Sequence, residues 1–211
     1  MCESELVESE SNICSFCDQN IVKTNHHLMS EPSDMDRLFW GRVETESTYA
    51  FMVFKKETVS QTVLFNLKYK NKAKLGVYFG KRIGKELMQR KLSEPFDAIL
   101  PVPLHPKKEF IRGYNQSEQL AMGISKSMNI PVNTQLLKRK KHTSSQTNKT
   151  RFERWDNVSN VFDTHSKLVN LKHIMLVDDV ITTGSTIENL ILLLKEAHPN
   201  IKVSVVTLAI A

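Results

Sequence analysis

The chain of 211 residues lacks any apolar run near the ~20 residues that a membrane-spanning helix needs. Its longest runs are a few residues, such as Leu190 to Leu194 and the stretch around Val205 and Val206. The first ten residues, Met1 to Glu10, have neither the basic nor the apolar segment of a secretory signal and are acidic and polar instead. These two absences make the cytoplasm the expected location. Bases are almost missing from residues 1–36, where eight acids face Lys23 alone for a balance of −7. Acids are almost missing from residues 55–91, where two face eleven bases for a balance of +9. The basic block suits either a solvated lysine face, with Lys68, Lys70, Lys72 and Lys74 on an exposed turn, or a surface for polyphosphate or nucleic acid. With 40% apolar residues the chain can still bury a core, so one domain with a small appendage is expected rather than disorder.

Apolar periodicity places the elements. Residues 48–54 read as a strand. In residues 75–87, Leu75, Tyr78, Phe79, Ile83 and Leu87 form one helical stripe. Gly76, Gly80 and Gly84 recur along the same helix, and the intervening Lys81, Arg82 and Lys85 exclude lipid, so the glycines point to close packing against a neighbouring element. Residues 97–106 read as a short strand stopped by Pro101, Pro103 and Pro106, then a loop with Lys107, Lys108 and Arg112. A helix follows from Asn115-Gln-Ser-Glu118, with Leu120, Ala121, Ile124 and Met128 on its buried face. Residues 139–160 are polar and read as a long surface loop, the length at which loops are often functional lids. A strand over 173–177, a helix over 186–197 and a strand over 201–208 complete an alternation that predicts an α/β fold with a mainly parallel sheet.

The densest chemistry lies in Ile174-Met-Leu-Val-Asp-Asp-Val-Ile-Thr-Thr-Gly-Ser-Thr186. A strand over 174–177 and a helix striped by Ile187, Leu190, Ile191, Leu194 and Ala197 put residues 178–185 at the carboxyl end of a strand, the edge where open α/β sheets bind ligands. Backbone N–H groups at the helix start, with the hydroxyls of Thr182, Thr183, Ser185 and Thr186, suit a phosphate. Asp178 and Asp179 would repel it, so they fit sugar hydroxyls or a hydrated Mg²⁺ on the same ligand. Two plainer readings compete: Ser185 and Glu188 have capping-box spacing, and paired acids at strand ends also occur in receiver domains.

Val177-Asp-Asp-Val-Ile-Thr-Thr-Gly-Ser-Thr186 resembles the signature of type I phosphoribosyltransferases. That resemblance implies Asp178 and Asp179 on the ribose hydroxyls of phosphoribosyl pyrophosphate (PRPP), with Mg²⁺ shared through the ligand. It also implies Thr182, Thr183, Gly184, Ser185 and Thr186 around the 5′-phosphate. Threonine at 182 replaces the acid that hypoxanthine-guanine enzymes use, which counts against that substrate class. Residues 101–108, Arg112-Gly-Tyr-Asn-Gln116, residues 146–151, Arg154 and Asn157-Val158 narrow the resemblance to the ComF/GntX family, linked to DNA uptake in competent bacteria, over residues 14–211. The implied fold is the type I phosphoribosyltransferase fold with a short N-terminal zinc-ribbon-like remnant (1–36), a transferase-like domain (37–211) and a hood over 37–95. Leu104, His105, Lys107, Lys108 and Arg112 take the place of the pyrophosphate loop. Arg112 is favoured there for its planar fork, and His105 is either a donor or a satisfied loop histidine. Arg151 and Arg154, three apart, would steady the leaving pyrophosphate under a lid or form a basic surface patch. The activity implied is pentosyl transfer to an acceptor left open. The alternative is a PRPP-sensing adaptor that meets single-stranded DNA or a competence helicase. The oligomeric state is open, with a homodimer among the options. No separate glutaminase domain fits the chain.

Three cysteines are present: Cys2, Cys14 and Cys17. Cys14 and Cys17 have the spacing of half a zinc site. ComF proteins open with two such pairs, and Cys2 falls where the second cysteine of the first pair would stand. Its partner would then precede Met1, which suggests a late start or a degenerate ribbon, with His26 or His27 as substitute ligands for an incomplete Zn²⁺ set.

Overall fold

The computed structural model describes residues 10, 12–90, 95–139, 162–164 and 171–211. Its elements run α1 (Ser15–Gln19), a 3-10 turn (His26–Leu28), α2 (Asp34–Arg37), β1 (Ser47–Val53), α3 (Val59–Tyr69), α4 (Ala73–Gln89) and β2 (Ala98–Pro101). They continue through α5 (Pro106–Arg112), α6 (Gln116–Met128), β3 (Leu137–Arg139), β4 (Phe162–Thr164), β5 (His173–Ile181), α7 (Ser185–Ala197) and β6 (Lys202–Ile210). Four strands make one sheet in the order β1-β6-β5-β2, every pair parallel, and β3 and β4 form a small antiparallel pair. No helix among the described residues is long and apolar enough to cross a membrane.

Strand alternation sends side chains to two cores, one on each face of the sheet. Met175 and Val177 of β5, Val206 and Leu208 of β6 and Phe51 of β1 join the stripe of α4 and the buried face of α6. Ile174, Leu176, Val203, Val205 and Ala50 join α7 through Ile187, Leu190, Ile191 and Leu194. Ala197, expected on that stripe, is exposed in the last turn. The α4 glycines do face a neighbour. A Cβ on Gly80 would lie 2.2 Å from the Leu120 carbonyl oxygen and 2.8 Å from the Gly123 Cα, so α4 and α6 touch backbone to backbone.

Three expectations are corrected. First, β5 does not stop before its acids: Asp178 pairs with Thr207 and Ile181 with Ile210, so both aspartates sit within the ladder. Second, residues 106–112 are helical rather than a loop, with Pro106 in the first turn, where its missing N–H costs nothing, and left-handed Gly113 as the stop. Third, among the described residues no zinc-ribbon remnant is formed. Ile13, Cys14, Cys17 and Ile21 are buried in the core that holds Tyr49, Phe51 and Phe79, the thiols serving as small apolar groups. Cys14 Sγ accepts the Cys17 N–H at 3.5 Å as the cap of α1, and His26 Nδ1 accepts the Ala50 N–H at 3.2 Å. His27 Nδ1 lies 3.2 Å from Glu86. Among the described residues no three His, Cys, Asp or Glu side chains group as a metal site. Cys2 lies outside them.

Candidate functional site

The carboxyl edge of the sheet is assembled by connections made just beyond β2. After Pro101 the Val102 N–H still reaches the Val177 carbonyl at 2.9 Å, and Asn115 Nδ2 donates to the Val102 carbonyl at 2.9 Å. Asn115 Oδ1 accepts the Ser117 N–H at 3.1 Å, capping α6. One buried asparagine thus ties the end of β2 to the start of α6. The consequence is that Ser117 Oγ donates to Asp178 Oδ1 at 2.9 Å, and that same oxygen accepts the Asp179 N–H at 2.8 Å.

Asp179 is buried, and its Oδ2 lies 3.1 Å from Lys68 Nζ in the last turn of α3. Burial first, and the neighbouring Asp179 charge second, push the Asp178 carboxyl up to about 7, against the opposing pull of the Asp179 N–H, Ser117 and Lys68. Lys68 thus pairs with Asp179, while Asp178 takes its hydrogen bonds from Ser117 and the Asp179 N–H. Among the described residues no third His, Cys, Asp or Glu side chain groups with the two aspartates as a metal site.

Beyond β5, Thr182, Thr183, Ser185 and Thr186 are exposed where α7 begins. Gly184 is the cap at φ 75°, with a Cβ position only 3.2 Å from the Phe39 ring. The capping box between Ser185 and Glu188 is not formed. Glu188 instead bonds Arg42, whose Nη1 also donates to the Leu38 carbonyl at 2.9 Å and the Thr183 carbonyl at 2.7 Å. Arg42 therefore fixes the carbonyl of Thr183, and Thr183 Oγ1 and Ser185 Oγ meet at 3.0 Å. Arg42→Ala is expected to cost about 1 kcal/mol, because it removes three bonds from a partly exposed guanidinium. Urea denaturation reads this as a lower midpoint at constant slope, and an unchanged midpoint contradicts it.

The remaining expected residues are distributed differently. Leu104 and His105 follow β2, and His105 Nδ1 accepts the Lys107 N–H at 3.2 Å, capping α5. Lys107 and Lys108 are exposed on α5. Arg112 donates to Gln116 Oε1 at 2.8 Å and stacks over Tyr69 at 5.3 Å. Arg151, Arg154 and residues 146–150 lie outside the described residues. Ser117, Asn115, Lys68 and Arg42 were not singled out as site residues from sequence. Asn115 and Ser117 carried a helix-start signal, Lys68 was one of a run of lysines, and Arg42 carried no signal at all.

The geometry defines a class: a parallel α/β sheet with an acid pair at its carboxyl edge and a hydroxyl-rich turn opening a helix. In agreement, the family profile described as the phosphoribosyl transferase domain matches residues 115–210, from the α6 cap to the end of β6. Over 208 residues the chain is 29% identical to Competence protein F of Haemophilus influenzae, covering 92% of this chain and 89% of that protein. It is 24% identical over 194 residues to the DNA utilization protein YhgH of Escherichia coli K12, covering 90% and 81%. The Salmonella typhi protein of the same name is 26% identical over 203 residues, covering 92% and 88%. The chain is thus homologous to Competence protein F and YhgH over nearly its whole length, with a phosphoribosyl transferase domain match in its second half.

Proposed function

We propose that the chain binds PRPP with Mg²⁺ at the Asp178–Asp179 edge and transfers the phosphoribosyl group. The observation that carries this reading is the placement of two carboxylates near the carboxyl end of a parallel strand, followed by an exposed run of hydroxyls at the helix start that left-handed Gly184 caps. Asp178 and Asp179 would hold the ribose hydroxyls, and Thr182 to Thr186 the 5′-phosphate at the positive end of α7. Mg²⁺ would add positive charge between the acids and the pyrophosphate. Attack at the anomeric carbon forms the new bond as the bond to pyrophosphate breaks, the leaving group taking the electron pair. The carboxylates stabilise the positive charge that develops on the sugar.

In this reading residues 37–95 serve as the hood, supported by α3, which delivers Lys68 to Asp179. Leu104, His105, Lys107, Lys108 and Arg112 border the pyrophosphate, and the family resemblance adds Arg151 and Arg154, outside the described residues, as cations for the leaving group. A second reading is a PRPP-sensing protein that handles DNA without turnover, and the relatives' names, competence and DNA utilization, support only its link to DNA. Release of pyrophosphate from PRPP, measured against a panel of bases, amines and oligonucleotides, separates the two. Turnover with an acceptor is expected from an enzyme. PRPP binding with no release under every condition supports the sensor.

A further inference from the structure

A pocket of about 300 Å³ lies between the end of α3 and the end of α5, lined by Lys68, Tyr69, Asn71, Phe110, Ile111 and Arg112 with Gly113. Its apolar walls are unusually open to water: Phe110 is 90% exposed, Ile111 80% and Tyr69 63%. No residue of α5 is buried, so these side chains contribute nothing to the core. Tyr69 lies between Phe65, with ring centroids 5.3 Å apart, and the Arg112 guanidinium at 5.3 Å. Lys70, Lys107 and Lys108 are exposed around this cluster, and Glu109 is the acid among them. Flat aromatic faces inside a ring of cations match a ligand with π-faces strung on anionic phosphates. A second copy of the chain fits poorly, because a two-fold contact would set the same cations against one another.

We propose that this pocket seats an unpaired base of a single-stranded nucleic acid, and that Lys68, which lines the pocket and pairs with Asp179, couples the strand to the aspartate edge. This rests on the PRPP reading for its second half only. With the edge empty, Lys68 is held by Asp179 at 3.1 Å. A cation and diol arriving at Asp179 displace the ammonium, which then turns to the strand as an added phosphate contact. Each ligand therefore tightens the other, as linkage requires.

The test is anisotropy of a labelled 15-residue oligothymidylate, with an abasic deoxyribose-phosphate oligomer as the comparison. Wild type is expected to prefer the thymidylate, with a log–log salt slope of about −2 to −3. Phe110→Ala and Tyr69→Ala each weaken it about tenfold while leaving the abasic oligomer unchanged. Both side chains are exposed, so both variants remain folded. Saturating PRPP and Mg²⁺ tighten the thymidylate about fivefold in wild type, and Lys68→Met abolishes that gain. Equal affinity in the Phe110 and Tyr69 variants overturns the base seat. So does a concentration-dependent dimer that Phe110→Ala dissolves without changing oligonucleotide affinity. A PRPP gain that persists in Lys68→Met overturns the coupling. If wild type takes the oligonucleotide but no PRPP, the proposed function and the coupling both fail, while the base seat stands or falls on its own variants.

Discussion

Gly123→Val is expected to lower the stability of the protein by about 3 kcal/mol or more, the upper end of what overpacking costs. A Cβ at Gly123 would lie 2.3 Å from the Val77 carbonyl oxygen, 2.7 Å from the Gly80 Cα and 2.8 Å from the Lys81 nitrogen. All three atoms are backbone of the 17-residue α4, so no rotamer change relieves the clash. The helices must separate, and the core that lies behind them, with Phe79, Ile83, Leu120 and Ile124, opens along its length. For a chain of this size the loss corresponds to about 10 °C in melting temperature. Gly113, by contrast, has only the Asn71 side chain at 3.9 Å from its Cβ position, and Gly113→Ala meets the strain of φ 78° without a clash. Its cost is expected to stay near 1 kcal/mol. Equal melting temperatures for wild type and Gly123→Val would show that the α4–α6 contact is not as close as described.

Asp178→Asn is expected to stabilise the protein at alkaline pH and to weaken the proposed PRPP binding. In the folded chain burial and Asp179 hold the Asp178 carboxyl at about 7, against an ordinary value of 3.8. Between those values the folded state retains a proton that the unfolded state has released. Stability therefore falls as pH rises through this window, is free of the penalty below about pH 4 and carries the whole of it above about pH 7. The shift sets a ceiling of about 4 kcal/mol. The partial solvation of Asp178 and the nearby Lys68 reduce the expected effect to about 1–2 kcal/mol. Asparagine keeps an acceptor for Ser117 and does not titrate in this range. Melting curves of the variant and wild type should coincide near pH 4 and separate in favour of the variant by pH 8. A gap that does not change with pH would mean that the carboxyl is not held up by its surroundings.

The sequence carried the layers of the fold because strands and helices here bury one regular face each. Leu75, Phe79, Ile83 and Leu87 on α4, and Ile187 to Leu194 on α7, announce their own periodicity. Expectation failed where a local pattern and a distant partner disagree. Asp178 and Asp179 read as the end of a strand because charge usually ends burial. Yet the β6 ladder continues past them, with Ser117 and Lys68 supplying the polar partners that no local pattern displays. The helix over Pro106–Arg112 was hidden by three prolines and by an apolar pair, Phe110 and Ile111, that faces water rather than a core. Cys14 and Cys17 have ligand spacing, but their side chains pack against the apolar core with Ile13 and Ile21. Arg42 matters only through Thr183 and Glu188, far along the chain, which spacing alone does not reveal.

The central claim is that the Asp178–Asp179 edge and the Thr182 to Thr186 turn together hold PRPP. Calorimetric titration with PRPP, with and without Mg²⁺, on wild type and on the Asp178→Asn/Asp179→Asn double variant tests it most directly. The account predicts saturable, Mg²⁺-dependent binding by wild type, and a folded double variant whose affinity is lower by about a hundredfold, as expected when two ligand-facing charge-assisted contacts go. Wild-type protein that takes up no PRPP at millimolar concentration, or a double variant that binds it as tightly as wild type, would contradict the account.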